Sequence, residues 1–290
     1  MEGRSRMNFL EAIFRQLQEA AHRPVLQEVR QGRIISVTGA DLLALVRTAR
    51  AYLRRQGVRS GDRCAVLASN SIRWVALDLA LMAEGVIVVP LYTRQAPAEL
   101  VGILKDCSPA LLCVEDETLR ERLRPLWSEA PPMPLLAEVF APSPQSDSIP
   151  DVPIPRTDSE PVTIIYTSGT SGEPKGVVLT VGNVTFMLPH THERLNRLMG
   201  PRRAPERVFH YLPFCFAGSW ILLLTCLSRP SVLTLSTDLT RLSEELQLAR
   251  PHYFLNVPLL LERMRARIED QLRQKGRILY ALFKRGQTAW

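Results

Sequence analysis

The chain has 290 residues, 46% of them hydrophobic and 22% charged, with a formal net charge of +7; this is ample for a sizeable core and excludes a largely disordered protein. Only Lys105, Lys175, Lys275 and Lys284 of the 36 basic residues are lysines, and the arginines are scattered without a basic stripe or aromatic interleaving, so nucleic acid is not an expected partner. The five cysteines, Cys64, Cys107, Cys113, Cys215 and Cys226, are odd in number, sit in apolar surroundings and form no Cys-x-x-Cys pair, which points to buried free thiols in a reducing compartment rather than to disulfides or zinc.

The start, Met1 to Met7, is polar and leads into an amphipathic segment; no signal peptide is expected, and the cytoplasm is the expected location. Asn8 followed by Glu11 has the pattern of a capping box, opening a helix with Leu10, Ile13, Phe14 and Leu17 on one face. Residues 33–37 predict a short strand and 40–56 a helix ended by Gly57. Gly61 and Asp62 then turn the chain into an apolar strand, 63–68. A helix over 72–84 ends at Gly85 and feeds a strand at 86–90, and the same alternation continues with helix 98–107, strand 110–114 and helix 118–129. Apolar strands alternating with helices indicate a parallel sheet covered on both faces. Asp62 suits a turn, and Asn70 and Ser71 suit a helix cap better than a substrate contact.

Nine prolines fall between residues 131 and 161, which precludes regular ladder bonds and predicts a surface connection between a first α/β half (1–130) and a second (162–290). The second half opens with a β-branched run, 162–165, followed by Thr167, Ser168, Gly169, Thr170, Ser171, Gly172, Lys175 and Gly176. Glycines let the backbone turn its N–H groups onto an anion, the hydroxyls add donors, and the lysine adds a compact positive charge. Such a segment suits a polyphosphate, although a polar hairpin between two strands has the same composition. It is not the Walker pattern, and Pro174 opposes helix entry at the lysine.

Further on, Asn183 is the expected cap of a helix reaching at least His192. His190 and His192 stand two apart and point to different faces, so no metal site is expected there. The uncharged run 211–227 is short for a membrane span and is broken by Pro213 and Gly218, which favours a buried core helix. A strand at 231–235, a helix capped by Asp238 and stopped by Pro251, and a strand at 252–256 precede a long amphipathic helix. Its Leu261, Met264, Ile268 and Leu272 share a face, read as core-facing, with a membrane surface as the alternative.

The string Tyr166-Thr-Ser-Gly-Thr-Ser-Gly-Glu-Pro-Lys-Gly-Val177 resembles the phosphate loop of the adenylate-forming superfamily, which includes acyl-CoA synthetases, the adenylation domains of peptide synthetases and luciferase. The segments Gly61 to Trp74 and Met82 to Tyr92 resemble its upstream scaffold, and Val178 to Asn183 its Leu-Thr-His-x-Asn element, with Val181 where histidine is common. Arg207 to Trp220 resembles the strand and helix beside the acyl site, with Phe216 where many members carry histidine. The runs Arg250 to Met264 and Gly276 to Gly286 resemble long-chain fatty acid–CoA ligases in particular.

The resemblance implies an α/β fold of layered parallel sheets flanked by helices, the N-terminal domain of the adenylate-forming enzymes. It implies ATP-dependent activation of a carboxylic acid, a long-chain fatty acid by the nearest likeness, through an acyl-adenylate and then thioester formation with coenzyme A, with Mg²⁺ on the nucleotide. Thr167 and Lys175 would be catalytic. Residues Thr167 to Gly172, with Lys175 and Gly176, would hold the phosphates, and Phe214, Phe216 and Trp220 would wall the acyl site. No resident metal site is implied. Expected partners are these small molecules, with peripheral association on the inner membrane face as an option. The family's later motifs, which contact adenine, ribose and Mg²⁺, and its C-terminal domain with a catalytic lysine are not found in the sequence; the expectation is that this polypeptide alone forms no acyl-adenylate. Two alternatives stand beside this: a non-catalytic nucleotide- or acyl-binding remnant, and a membrane-surface interaction protein.

Overall fold

The computed structural model describes residues 7–168, 174–200 and 205–288. The chain forms two compact units, Met1–Tyr253 and Phe254–Trp290.

The first helix, α1 (Phe9–Glu19), opens on the expected capping box: Asn8 Oδ1 accepts from the Glu11 amide at 3.0 Å and Glu11 Oε2 from the Asn8 amide at 3.0 Å, satisfying two of the donors that a helix start leaves orphaned. A strand not anticipated from the sequence, β1 (Pro24–Arg30), follows and pairs antiparallel with β2 (Arg33–Thr38). Its Gln27, Glu28 and Arg30 disguised it as loop. Thr38 and Asp41 form a second capping box at α2 (Gly39–Arg55). Next come β3 (Arg63–Leu67), α3 (Ile72–Ala83), β4 (Ile87–Leu91), α4 (Pro97–Cys107) and β5 (Leu111–Val114). The helix expected over 118–129 is shorter, α5 (Glu117–Leu123), because Pro125 lacks the N–H for another turn and the chain tightens into a 3₁₀ turn at Arg124–Leu126.

After the short α6 (Leu136–Val139) come β6 (Pro161–Ser168), β7 (Pro174–Thr180), α7 (Val181–Met199), β8 (Glu206–His210), α8 (Ala217–Leu227), β9 (Ser231–Leu235), α9 (Leu242–Ala249) and β10 (Tyr253–Phe254). Thr180, not Asn183, caps α7; Asn183 is the reciprocal partner three residues in. The second unit carries α10 (Pro258–Lys275) and α11 (Arg277–Thr288).

The strands form two five-stranded sheets, ordered β10-β8-β9-β1-β2 and β5-β3-β4-β6-β7. Both are largely parallel, as expected, but each ends in an antiparallel edge strand, β2 on β1 and β7 on β6. Each sheet draws strands from both sides of the proline-rich segment. The division into halves at 130 and 162 is therefore not a division of the fold, because strand pairing joins what the prolines separate. That segment runs largely over the surface, as expected, and is bonded to the fold beneath it. Arg50, fully buried, donates to the Pro150 carbonyl at 2.6 Å and the Val152 carbonyl at 2.9 Å while pairing with Glu84, and Arg47 pairs with Asp151 at 2.6 Å. Carbonyls that no ladder satisfies are thus satisfied by the Arg50 guanidinium of α2, while Arg47 holds the Asp151 side chain.

Every residue of α3 but Arg73 is buried, and the helix touches β1 of one sheet and β4 of the other, as its largely apolar character requires. Its first amide, Ile72, donates to buried Glu28 Oε2 at 3.0 Å, a carboxylate placed where the helix dipole favours one. α8 is the buried core helix expected from the uncharged run. Among the described residues no helix is long and apolar enough to cross a membrane.

Candidate functional site

Strands β3, β4, β5 and β6 run parallel, so their carboxyl ends share one edge of the sheet, the edge outside which open α/β sheets bind ligands. β6 is anchored at its base by Thr163, fully buried, whose hydroxyl donates to the Val88 carbonyl at 2.9 Å. Val88 and Thr163 are register partners; carried four residues on, that register sets Thr167 level with Tyr92, just past the end of β4.

The ribbon of β6 and β7 brings Thr167 and Lys175 directly opposite one another, and Tyr166 opposite Gly176. Directly opposed residues of an antiparallel pair project from one face, so the two residues expected to be catalytic stand side by side, both exposed. Neither makes an ion pair or side-chain hydrogen bond with the described residues. Gly176, among the residues expected to hold phosphate, also has a packing role. A Cβ there would lie 2.8 Å from Ile164 Cγ2 and 3.1 Å from Tyr166 Cζ, so its absence makes room for the Tyr166 ring. That ring reaches the Asp106 carboxylate of α4, and burial followed by this bond raises the phenol's pKa. Tyr166 therefore pins the ribbon. β6 and β7 pair antiparallel as far as Ser168 and Pro174; the side chain of Ser168 and the residues Gly169, Thr170, Ser171 and Gly172, also expected to hold phosphate, lie outside the described residues.

The carboxyl end of β8 meets this edge through Asn70, which follows β3. Its Nδ2 donates to the Leu212 carbonyl at 2.8 Å and its Oδ1 accepts from the Phe214 amide at 3.0 Å, bracketing Pro213. Ser71 caps α3 as expected, but Asn70 is a clamp between elements. The sequence carries no sign of this, since the partners are more than 140 residues away. Phe214, in the expected acyl wall, is buried, with Trp74 at 4.9 Å between ring centroids and the His210 ring stacked at 5.1 Å. Trp220, also in that wall, is fully buried on α8, its Nε1 donating to Asp78 of α3 at 3.0 Å. Only Phe216 of the three is open to solvent, 48% exposed, with the Tyr92 ring 5.9 Å away.

Two ionisable groups lie in the core behind this edge. Burial raises the Asp78 carboxyl to about 7, against the opposing bond from Trp220. Burial also lowers His210 to about 4, the Leu212 backbone offsetting little of it, and neither ring nitrogen has a normal hydrogen-bond partner among the described residues. At neutral pH the imidazole is uncharged. Elsewhere His192 Nε2 meets Ser228 Oγ at 2.9 Å. A cavity of about 730 Å³ lined by Tyr52, Arg120, Trp127 and Met133 contains none of the site residues, and its Arg120 is already engaged by Glu117 and the Met133 carbonyl. No group of three or more metal-ligating side chains occurs among the described residues.

An antiparallel ribbon at the carboxyl edge of a two-sheet α/β domain has a clear family counterpart: the AMP-binding enzyme family matches residues 13–284, and the chain belongs to it, the adenylate-forming ligases. Among curated relatives the chain is similar to a long-chain-fatty-acid–CoA ligase of Mycobacterium bovis, 24% identical over 92% of this chain and 46% of the relative. It is also similar to a chloroplastic long-chain-fatty-acid–[acyl-carrier-protein] ligase of Arabidopsis thaliana, 26% identical over 76% of this chain and 34% of the relative. The chain thus spans less than half the length of these relatives. Among solved structures it shares the fold of VinN, with a TM-score of 0.76 at 21% identity, covering 91% of this chain and 64% of that one; VinN has also been solved with L-aspartate.

Proposed function

We propose that this chain forms part of an ATP-dependent ligase that activates a carboxylic acid as its acyl-adenylate and passes the acyl group to a thiol, with a long-chain fatty acid as the acid and coenzyme A as the thiol. The observation that carries the reading is the pairing of Thr167 and Lys175 on one exposed face of the β6–β7 ribbon, two donors with no competing partner in the described chain. Support for a fatty acid comes from the apolar Phe216 and Tyr92 pair at the same edge and from the ligases of long-chain acids among its relatives.

In this reading a carboxylate oxygen of the acid attacks the α-phosphorus of ATP, the bond to the bridging oxygen breaks, and pyrophosphate leaves with that electron pair. The sulfur of the thiol then attacks the acyl carbonyl, loses its proton, and AMP departs. Lys175 offsets the charge that grows on pyrophosphate, and the Thr167 hydroxyl donates to a phosphate oxygen; both act by position and electrostatics. Phe216 and Tyr92 keep water from the acyl side. Mg²⁺ would accompany the nucleotide's phosphates and neutralise part of their charge; the oxygen-rich ribbon fits such a complex, while the described residues offer no carboxylate cluster to hold the ion alone.

Equilibrium titration of the chain tests this. MgATP binding should be competed by pyrophosphate, and long-chain fatty acids should bind in preference to aspartate, with Phe216→Ser weakening only the acid. MgATP binding insensitive to pyrophosphate, or a preference for aspartate, would contradict the assignment of nucleotide or of acid respectively.

A further inference from the structure

The β6–β7 ribbon is gripped from its back by a bond that neither strand pairing nor the core requires. β6 is in register with β4 at Thr163, and the ladder beyond it, to Ser168 and Pro174, is with β7. Side chains alternate across a strand, so Tyr166 projects from the face opposite to Thr167 and Lys175. Its ring packs against the cluster that includes Leu104 and Cys107 of α4 and Leu112 of β5, over a glycine whose Cβ would lie 3.1 Å from its Cζ. Its hydroxyl donates to Asp106 Oδ2. Asp106 is exposed and stands in the last turn of α4, where the free carbonyls at a helix end make a carboxylate unfavourable. Neither the helix nor the core calls for an acid there, and among the described residues its hydrogen-bond partner is the Tyr166 phenol.

We propose that Tyr166 and Asp106 are positioning residues for Lys175: the bond between phenol and carboxylate fixes the tilt of the ribbon, and with it the place where the ammonium group meets an anionic ligand. The inference rests on the phosphate reading of Thr167 and Lys175 given above. A lysine stem is flexible, so its charge is only as well placed as the strand that carries it. Lys175 is next to Gly176, the residue directly across from Tyr166, and a charge-assisted bond at that neighbouring pair removes strand motion at the nearest available point. Placement matters because a group displaced by about 1 Å can lose most of its effect on a reacting ligand. The bond lies at the surface, where removing it costs the fold little; its effect falls on geometry.

Equilibrium titration of the 290-residue chain with MgATP tests the proposal, with amide hydrogen exchange of the ligand-free chain as a second readout. Tyr166→Phe keeps the ring and removes the hydroxyl; it should weaken MgATP affinity about fivefold and speed exchange at residues 164–168 and 175–178 by a similar factor, with the thermal midpoint unchanged. Asp106→Ala should match it, and Asp106→Asn, which keeps an acceptor oxygen, should recover most of the loss. Since Tyr166 acts through the lysine, adding Tyr166→Phe to Lys175→Ala should cost less than about twofold more. Full affinity in both Tyr166→Phe and Asp106→Ala, or unchanged exchange in the ribbon, would overturn the positioning role and leave the phosphate reading standing. So would a loss that persists undiminished in Lys175→Ala, or one matched by a fall in the thermal midpoint. Wild-type affinity in Lys175→Ala itself would overturn the phosphate reading, and this inference with it.

Discussion

The β6–β7 ribbon and the turn between β8 and α8 both leave the carboxyl edge of a sheet, and they are held in opposite ways. The ribbon is tied at its base, by Thr163 to Val88 and by Tyr166 to Asp106; beyond that, Thr167 and Lys175 are exposed and have no side-chain partner among the described residues. The turn is braced along its length: Asn70 holds both Leu212 and Phe214, Phe214 stacks on His210 and meets the tilted ring of Trp74, and α8 behind it is bonded through Trp220 to Asp78. In the proposed reading, the side chains that would meet a charged ligand make no bonds to the described residues, whereas those that would shape an apolar wall are drawn from the core. Substitutions in the turn should therefore cost stability, and those at the ribbon's tip should cost binding only.

The largest effect is expected for Trp220→Ala, which opens a cavity between α8 and α3 and removes the donor to Asp78; about 3–5 kcal/mol should be lost in chemical denaturation. Asn70→Ala comes next. It leaves the Leu212 carbonyl and the Phe214 amide without their partner, at a cost of about 2–4 kcal/mol. The same variant should expose Cys215, whose thiol burial pushes up to about 12: alkylation by iodoacetamide, slow in the native protein, should accelerate several-fold in Asn70→Ala and not in Lys175→Ala.

The core groups behind the turn give a pH test. His210, depressed from 6.5 to about 4, contributes stability that is full above pH 6.5 and is lost as pH falls toward 4. Asp78, raised from 3.8 to about 7, contributes stability that is full below pH 3.8 and is lost as pH rises toward 7. Over the shared window the two slopes oppose, each about 1.4 kcal/mol per pH unit. Relative to wild type, Asp78→Asn should become more stable as pH rises from about 4 to 6.5, and His210→Phe less stable. Parallel curves for all three proteins would show that neither group titrates within the core as described. The smallest stability effect belongs to the ribbon: Thr167→Val and Lys175→Ala should stay within about 0.5 kcal/mol of wild type.

Local chemistry made much of this legible in the sequence. The capping box at Asn8, the helix α3, the buried helix α8, and the glycine- and hydroxyl-rich segment of the ribbon all follow from neighbours in the chain. What escaped depends on distant partners. β1 takes its place from β9 and β2, the proline-rich segment owes its order to Arg47 and Arg50, and Asn70 acts on residues of another sheet. Phe214 and Trp220 lie in the family's acyl segment, yet their burial depends on Trp74 and Asp78, which no spacing connects to them. Gly176 reads in the sequence as a glycine that lets the backbone turn its N–H onto an anion; that its missing Cβ makes room for Tyr166 depends on the strand opposite.

The phosphate role of the ribbon is tested most directly by measuring MgATP affinity and thermal midpoint on the same Lys175→Ala protein. Loss of the lysine should weaken affinity by about tenfold or more, the worth of one charge-assisted contact, with an unchanged midpoint. Unchanged affinity would contradict it, and so would a fall in affinity matched by a fall in the midpoint, since Lys175 would then be holding the fold together and not the nucleotide.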